Sequence, residues 1–195
     1  RNCRNFQQLV QPPRSKTRVH SKKTEGIEIM FITFKRFILN RWLDLLPSSC
    51  FGYRRFILKM MNVKISKNAK VNSGFRIYGP GKIEIKDNAW IGQNVHIYTG
   101  GFVNVTICEN VQVGPETIFN CLTHQVGSKD DRAGECIHHD LTVGKGTWIG
   151  CRSTILCSKI GSGCVIGAGS VVLEDVPENK LAAGNPAAVK KSYRK

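Results

Sequence analysis

Long apolar runs are missing from this sequence: about twenty consecutive apolar residues are needed to cross a bilayer as a helix, and no stretch approaches that. Acidic residues are also scarce, with 14 Asp and Glu against 29 Lys and Arg in 195 residues, a formal charge of +15. Aromatic residues make up 8% and do not gather into the stacking platforms that single-stranded nucleic acids use. No nucleic-acid-binding motif accompanies the charge, so nucleic acid is not expected as a partner. An anionic membrane surface or an anionic substrate is the better match. Eight cysteines are present without a C-x-x-C pair or a secretory signal peptide. Cys108, Cys121, Cys151, Cys157 and Cys164 are therefore expected to be buried free thiols in a reducing compartment. Of the five histidines, only His96 and His124 fall in the regular part of the chain. That is too few for the three convergent ligands of a histidine zinc site, and no metal is expected.

What the sequence does have is a period of six. In residues 141–176, Val143, Ile149 and Ile155 stand six apart, and after a slip of one residue Ile160, Ile166 and Val172 resume the count. Gly144, Gly150, Gly161 and Gly167 directly follow four of these six. Thr147, Ser153, Cys164 and Ser170 occupy the second inward position of each unit. Upstream, the same step links Ile65, Val71 and Ile77, then Ile85, Ile91, Ile97 and Val103, then Ile107, Val113 and Phe119. A six-residue period fits neither an α-helix nor a hairpin ladder. It is the signature of a parallel β-helix, in which each hexapeptide supplies one short strand and one corner. One coil cannot bury its own face, so such a solenoid is stable only as an array. The fold class read from the sequence is thus an all-β solenoid with a short helical segment, a protruding loop and a C-terminal arm.

The chain divides accordingly. Residues 1–28 are polar, basic and aperiodic, and are expected to be a disordered or leader segment. Residues 29–62 form a basic amphipathic segment in which Phe31, Phe34, Ile38, Trp42 and Leu45 recur at helical steps, with Lys35, Arg36 and Arg41 between them. Two readings of it stand side by side. One is a cap over the open first coil, and the other is an interfacial helix contacting an anionic membrane through residues 29–61. Residues 63–176 are the solenoid, interrupted at 125–140 by a polar insertion that reads as a loop thrown out from one corner. Residues 177–195 form the arm, with Pro177 and Pro186 expected to stop further strands.

Three strings carry a family likeness: VGKGTWIGCRSTIL at 143–156, IGSGCVIGAGSVVLEDVPENKLAAGNPAAVKK at 160–191, and CLTHQVG around His124. They resemble the hexapeptide-repeat acyltransferases, and among these the galactoside, maltose, xenobiotic and polysaccharide O-acetyltransferases. The resemblance implies a left-handed coil, a homotrimer, and acetyl-CoA as acetyl donor. It implies direct transfer to a sugar hydroxyl, as of a capsule, O-antigen or exopolysaccharide, in the cytoplasm or at the inner membrane face. His124 matches the family's general base, a role suited to an imidazole that must take a proton from a poor nucleophile. Trp148 matches a tryptophan beside the CoA cleft, Gly150, Ala168 and Gly169 match small residues along the pantetheine arm, and Lys190 and Lys191 match phosphate-facing positions. Asn94 and His96 are candidates for an acceptor contact one coil below the base, and His139 is a further candidate from the loop. Where many relatives have Thr-Lys, this chain has Leu173-Glu174. An N-acetyltransferase acting on an amino-sugar nucleotide, a xenobiotic acetyltransferase, and a non-catalytic membrane-surface scaffold are the alternatives.

Overall fold

The computed structural model describes residues 22–194, so most of the expected leader segment lies outside the described residues. Short strands of two to four residues recur at the hexad positions and stack into three parallel sheets. Five strands carrying Ile65, Ile85, Ile107, Val143 and Ile160 form the first sheet. The second has seven strands and runs through Val71, Ile91, Val113, Ile149 and Ile166 to the C-terminal arm. The third has five, through Ile77, Ile97, Phe119, Ile155 and Val172. All but one of these rung residues are buried, Ile65 at the open end being half-buried. The second inward positions behave as their small size requires. Thr147, Ser153 and Ser170 are fully buried, and their hydroxyls donate to the carbonyls of Gly161, Gly150 and Gly167 at 2.6 to 2.9 Å. Val103 departs from the count. Val105 and Ile107 pair with Ile83 and Ile85, because the turn after Tyr98 is widened by Gly100 and Gly101 and shifts the phase.

The N-terminal segment differs from the sequence expectation in extent and in orientation. Helix α1 spans Lys22–Trp42, so seven residues assigned to the aperiodic leader are helical. Helix α2 spans Phe51–Met60. The apolar stripe read from the sequence does not face the solenoid: Phe31, Phe34, Ile38, Trp42 and Leu45 are all exposed. The buried side of α1 carries Arg36, Leu39 and Asn40, and Leu43 just past its end is buried as well. Asn40 brackets the edge strand of the third sheet, donating to the Ile77 carbonyl at 2.9 Å and accepting from the Ile77 amide at 3.2 Å. Arg36 donates to the carbonyls of Gly79 and Gly81, and burial lowers its pKa to about 10. An unpaired strand edge exposes a row of backbone donors and acceptors, and polar side chains satisfy them where Leu or Phe would not.

The two helices are joined by a buried ion. Arg54 is fully buried, and its guanidinium donates to the carbonyls of Leu43, Leu46, Pro47 and Ser48. These lie past the end of α1, where carbonyls lack intrahelical partners. At the other end of the solenoid, Pro177 and Pro186 do not stop strand formation. Lys180–Gly184 and Ala187–Ser192 form an antiparallel hairpin that extends the second sheet. Pro186 sits in the tight turn between them, where its missing N–H costs the ladder nothing.

Replacing Arg54 by Ala leaves four carbonyls in a buried link without their donor, and a loss of about 3 kcal/mol is expected from the cost of unsatisfied buried acceptors. Urea denaturation followed by circular dichroism measures it. A midpoint unchanged from wild type would show that the link does not hold the cap.

Candidate functional site

The polar insertion is a β-hairpin of Leu122–Val126 against Ala133–His138. It leaves directly after the third-sheet strand Ile118–Asn120, behind the buried Cys121, and re-enters the first sheet at Leu141–Val143. The hairpin thus begins at Leu122, a little earlier than the break in the hexads suggests. His124 lies within its first strand, opposite Cys136. Its ring is exposed, and Nδ1 is 2.9 Å from the Gly134 carbonyl. A carbonyl can only accept, so Nδ1 carries the proton and Nε2 keeps its lone pair free. An imidazole held in one tautomer by a backbone carbonyl is oriented to take a proton at the other nitrogen.

His138, opposite Leu122 at the base of the hairpin, packs against the widened turn. A Cβ on Gly100 would fall 2.2 Å from the His138 ring, so a larger residue there would displace that ring. Burial, and then the nearby His139 and His124, lower the His138 pKa. His139 is not a solvated loop residue. It is 8% exposed, with its amide on the Cys121 carbonyl and Nδ1 3.2 Å from the Asp140 carbonyl.

The other two acceptor candidates fare differently. Asn94 is exposed at the corner between the second and third sheets, in a left-handed conformation with φ 54°. Its turn geometry accounts for it, since Asn tolerates that region. His96 lies half-buried on the outer face of the third sheet, between Arg76 and Ile118 on neighbouring strands. Its pKa is lowered by burial and by the charge of Arg76. Beside it, Tyr78 and Tyr98 stack with ring centroids 4.8 Å apart. These rings occupy the same rung position as Asn120, two residues before the hairpin. Arg76, Tyr78 and Tyr98 belong to none of the motifs that single out candidate residues in the sequence. The signal was present, for RIY at 76–78, HIY at 96–98 and IFN at 118–120 share one phase and so must share one face.

The second group of candidates lies on the second sheet. Trp148 is 58% exposed on its outer face. Its register runs from Trp148 through Val165 and Leu181 to Lys191, three strand spacings or about 14 Å. Lys190 falls at the irregularity of that last pairing, and both lysines are exposed. Gly150 has a folding reason to be small, since a Cβ there would lie 2.5 Å from the Ala168 amide of the next coil. Gly169 turns the following corner at φ 67°. His124 thus stands on the hairpin, beyond the corner between the third and first sheets, and Trp148 with the two lysines on the second sheet, while Gly150, Ala168 and Gly169 share with Asn94 the corner between the second and third sheets. The topology of one chain places His124 and Trp148 on different flanks of the rod.

Comparison with known proteins places these groups in context. No family model matches the chain. It is 27% identical over 147 residues, 73% of this chain and 76% of the relative, to an Escherichia coli protein named for acetyl transfer in colanic acid biosynthesis (WcaF). It is 28% identical over 153 residues, 68% of this chain and 72% of the relative, to an E. coli protein named for O-acetyl transfer in lipopolysaccharide biosynthesis (WbbJ). Among solved structures, a galactoside acetyltransferase in complex with coenzyme A superposes with a TM-score of 0.64 and 27% identity, covering 88% of this chain and 84% of that one.

The cysteines divide in a way the sequence did not show. Cys121, Cys157 and Cys164 are buried, Cys108 is half-buried, and Cys151 is exposed at a coil corner, contrary to expectation, as is Cys136 opposite His124. Burial pushes the Cys121 and Cys157 thiols up to about 12. In native protein at pH 8, an aromatic disulfide reagent is expected to label Cys136 and Cys151 within minutes and to reach Cys121 and Cys157 only after denaturation. Mass spectrometry of the labelled peptides checks it, and rapid labelling of Cys157 in the folded state would contradict the core described above.

Proposed function

We propose that this chain is an acyltransferase of the hexapeptide-repeat kind with a left-handed coil, and that it transfers an acetyl group from acetyl-CoA to a sugar hydroxyl, with His124 as general base. The observation that carries the reading is the His124 ring, exposed on the hairpin with Nδ1 tied to the Gly134 carbonyl. Nε2 takes the proton of the acceptor hydroxyl as its oxygen attacks the thioester carbon. The imidazolium so formed gives that proton to the departing CoA sulfur, so no acyl-enzyme is required.

Names among the relatives support a carbohydrate acceptor: colanic acid, lipopolysaccharide and a galactoside. The acceptor is a sugar unit of such a surface polysaccharide, met at the cytoplasmic face of a membrane. Trp148 supplies an exposed indole for the pantetheine arm, and Lys190 and Lys191 lie along the same outer face to meet phosphates. Gly150, Ala168 and Gly169 keep the backbone of that face open to approach. His124 and Trp148 stand on different flanks of one chain, so a complete site forms between two copies, with the hairpin of one reaching the second sheet of its neighbour. The assembly we propose is the homotrimer that the family resemblance implies, a ring closed by three such contacts.

Release of free CoA from acetyl-CoA, followed by loss of thioester absorbance across a panel of oligosaccharides, tests the reading. His124→Ala is expected to lower saccharide-dependent release by roughly two to four powers of ten, the range for a lost general base. Near-normal turnover in that variant removes the mechanism. Trp148→Ala is expected to raise KM for acetyl-CoA roughly tenfold with a smaller change in kcat, because its contact is made equally in the ground and transition states. A change confined to kcat would place Trp148 outside the donor cleft.

A further inference from the structure

Helix α1 is apolar on the side that solvent sees. Arg36, Leu39, Asn40 and Leu43 are buried against the solenoid. On the opposite side stand Phe31, Phe34, Phe37, Ile38, Trp42 and Leu45, of which Phe31, Phe34, Phe37 and Leu45 are each more than 60% exposed. At about 100° per residue the first five fall on one half of the helix surface with Arg41 the charged residue between them, and Leu45 follows just past the helix end. From Ile27 to Trp42 the stripe runs about 22 Å. Contiguous exposed apolar surface of this extent marks a contact with another phase or protein. The cap does not need it, since α1 holds the solenoid through Asn40 and Arg36.

We propose that this face seats the enzyme on an anionic lipid surface, with α1 lying in the interface plane. Charge selects the occupant. Residues 1–62 contain thirteen Lys and Arg against three Asp and Glu, and residues 1–21, which lead into α1, contain five basic and no acidic residues. A second copy docking on this face would bring its own basic segment against the first, and like charges at an interface oppose association. Anionic headgroups accept the same charges while the acyl boundary takes the aromatic rings, the arrangement of an interfacial helix. The consequence for the reaction rests on the function proposed above. The hairpin leaves from Ile118–Asn120, two strand spacings or about 10 Å from the edge strand that α1 covers. A polysaccharide unit carried at the membrane surface then lies near His124.

The test is flotation of the purified full-length protein with vesicles of phosphatidylcholine alone or mixed with phosphatidylglycerol, at low and high salt. The comparison is a variant with Phe34→Ser and Ile38→Ser, two exposed positions remote from the residues assigned to catalysis. The wild type is expected to float with the anionic vesicles roughly tenfold more than with the neutral ones, and salt is expected to weaken this. The variant should retain CoA release with a soluble acceptor and lose most of its flotation. Wild type that stays with the unbound fraction, or a variant that floats equally, overturns the proposal. A smaller assembly of the variant by light scattering, with no flotation of the wild type, assigns the face to a second copy. Flotation without any CoA release overturns the catalytic reading and leaves the lipid surface standing.

Discussion

Direct stacking of one coil's backbone on the next is the constraint on which the rest of this structure depends. Each coil strand from Lys64 to Val172 is two to four residues long, too short to be stable alone, and is held by hydrogen bonds to neighbouring coils. Those bonds form only where successive corners superpose, which forbids side-chain atoms at particular positions. At Gly114 and Gly150 an added Cβ would lie 2.5 Å from a backbone nitrogen of the next coil. The period of six is the visible trace of that requirement, an aliphatic residue for the core followed by a residue small enough to let the coils meet. The same glycines that resemble a ligand-binding pattern are needed for folding whether or not a ligand approaches.

Much of the architecture was therefore legible before any coordinates. The rungs from Ile65 to Val172 and the second inward positions at Thr147, Ser153, Cys164 and Ser170 are all where the hexads put them. What was misread lies where the period stops carrying information. Val103 keeps the count by coincidence across a turn widened by Gly100 and Gly101. Pro186 was read as a terminator because a proline interrupts a ladder, yet it occupies a hairpin turn where no ladder bond is required. The hairpin at 122–138 looked like a loop because neither of its faces is buried, and strand alternation is read from burial.

The helical segment shows a different limit. Periodicity reports that a helix has an apolar side, but it cannot report which side the protein uses. The usual inference, that aromatic residues face the core, fails for α1 because its neighbour is a strand edge whose amides and carbonyls need polar partners. Asn40 and Arg36 supply them, and Arg54 ties the helix end to α2. Polar residues placed between large apolar ones in a sequence deserve the reading that they face protein whenever the surface to be covered is an unpaired sheet edge.

At the candidate site the limit is one of topology. Sequence motifs single out His124, Trp148 and the C-terminal lysines one by one, and each is exposed in a position consistent with contact to a ligand. Nothing in the order of these motifs along the chain says that the hairpin leaves the corner between the third and first sheets while Trp148 projects from the second. That separation follows only from counting sheets around the coil. A transferase needs its base within hydrogen-bond reach of an acceptor that is itself in contact with the thioester carbon. Two flanks of one rigid rod cannot approach each other, because the aliphatic rungs between them fill the interior. The hairpin packs only its base against its own chain, at the turn of Gly100 and Gly101, and projects the strand that carries His124 away from the rod.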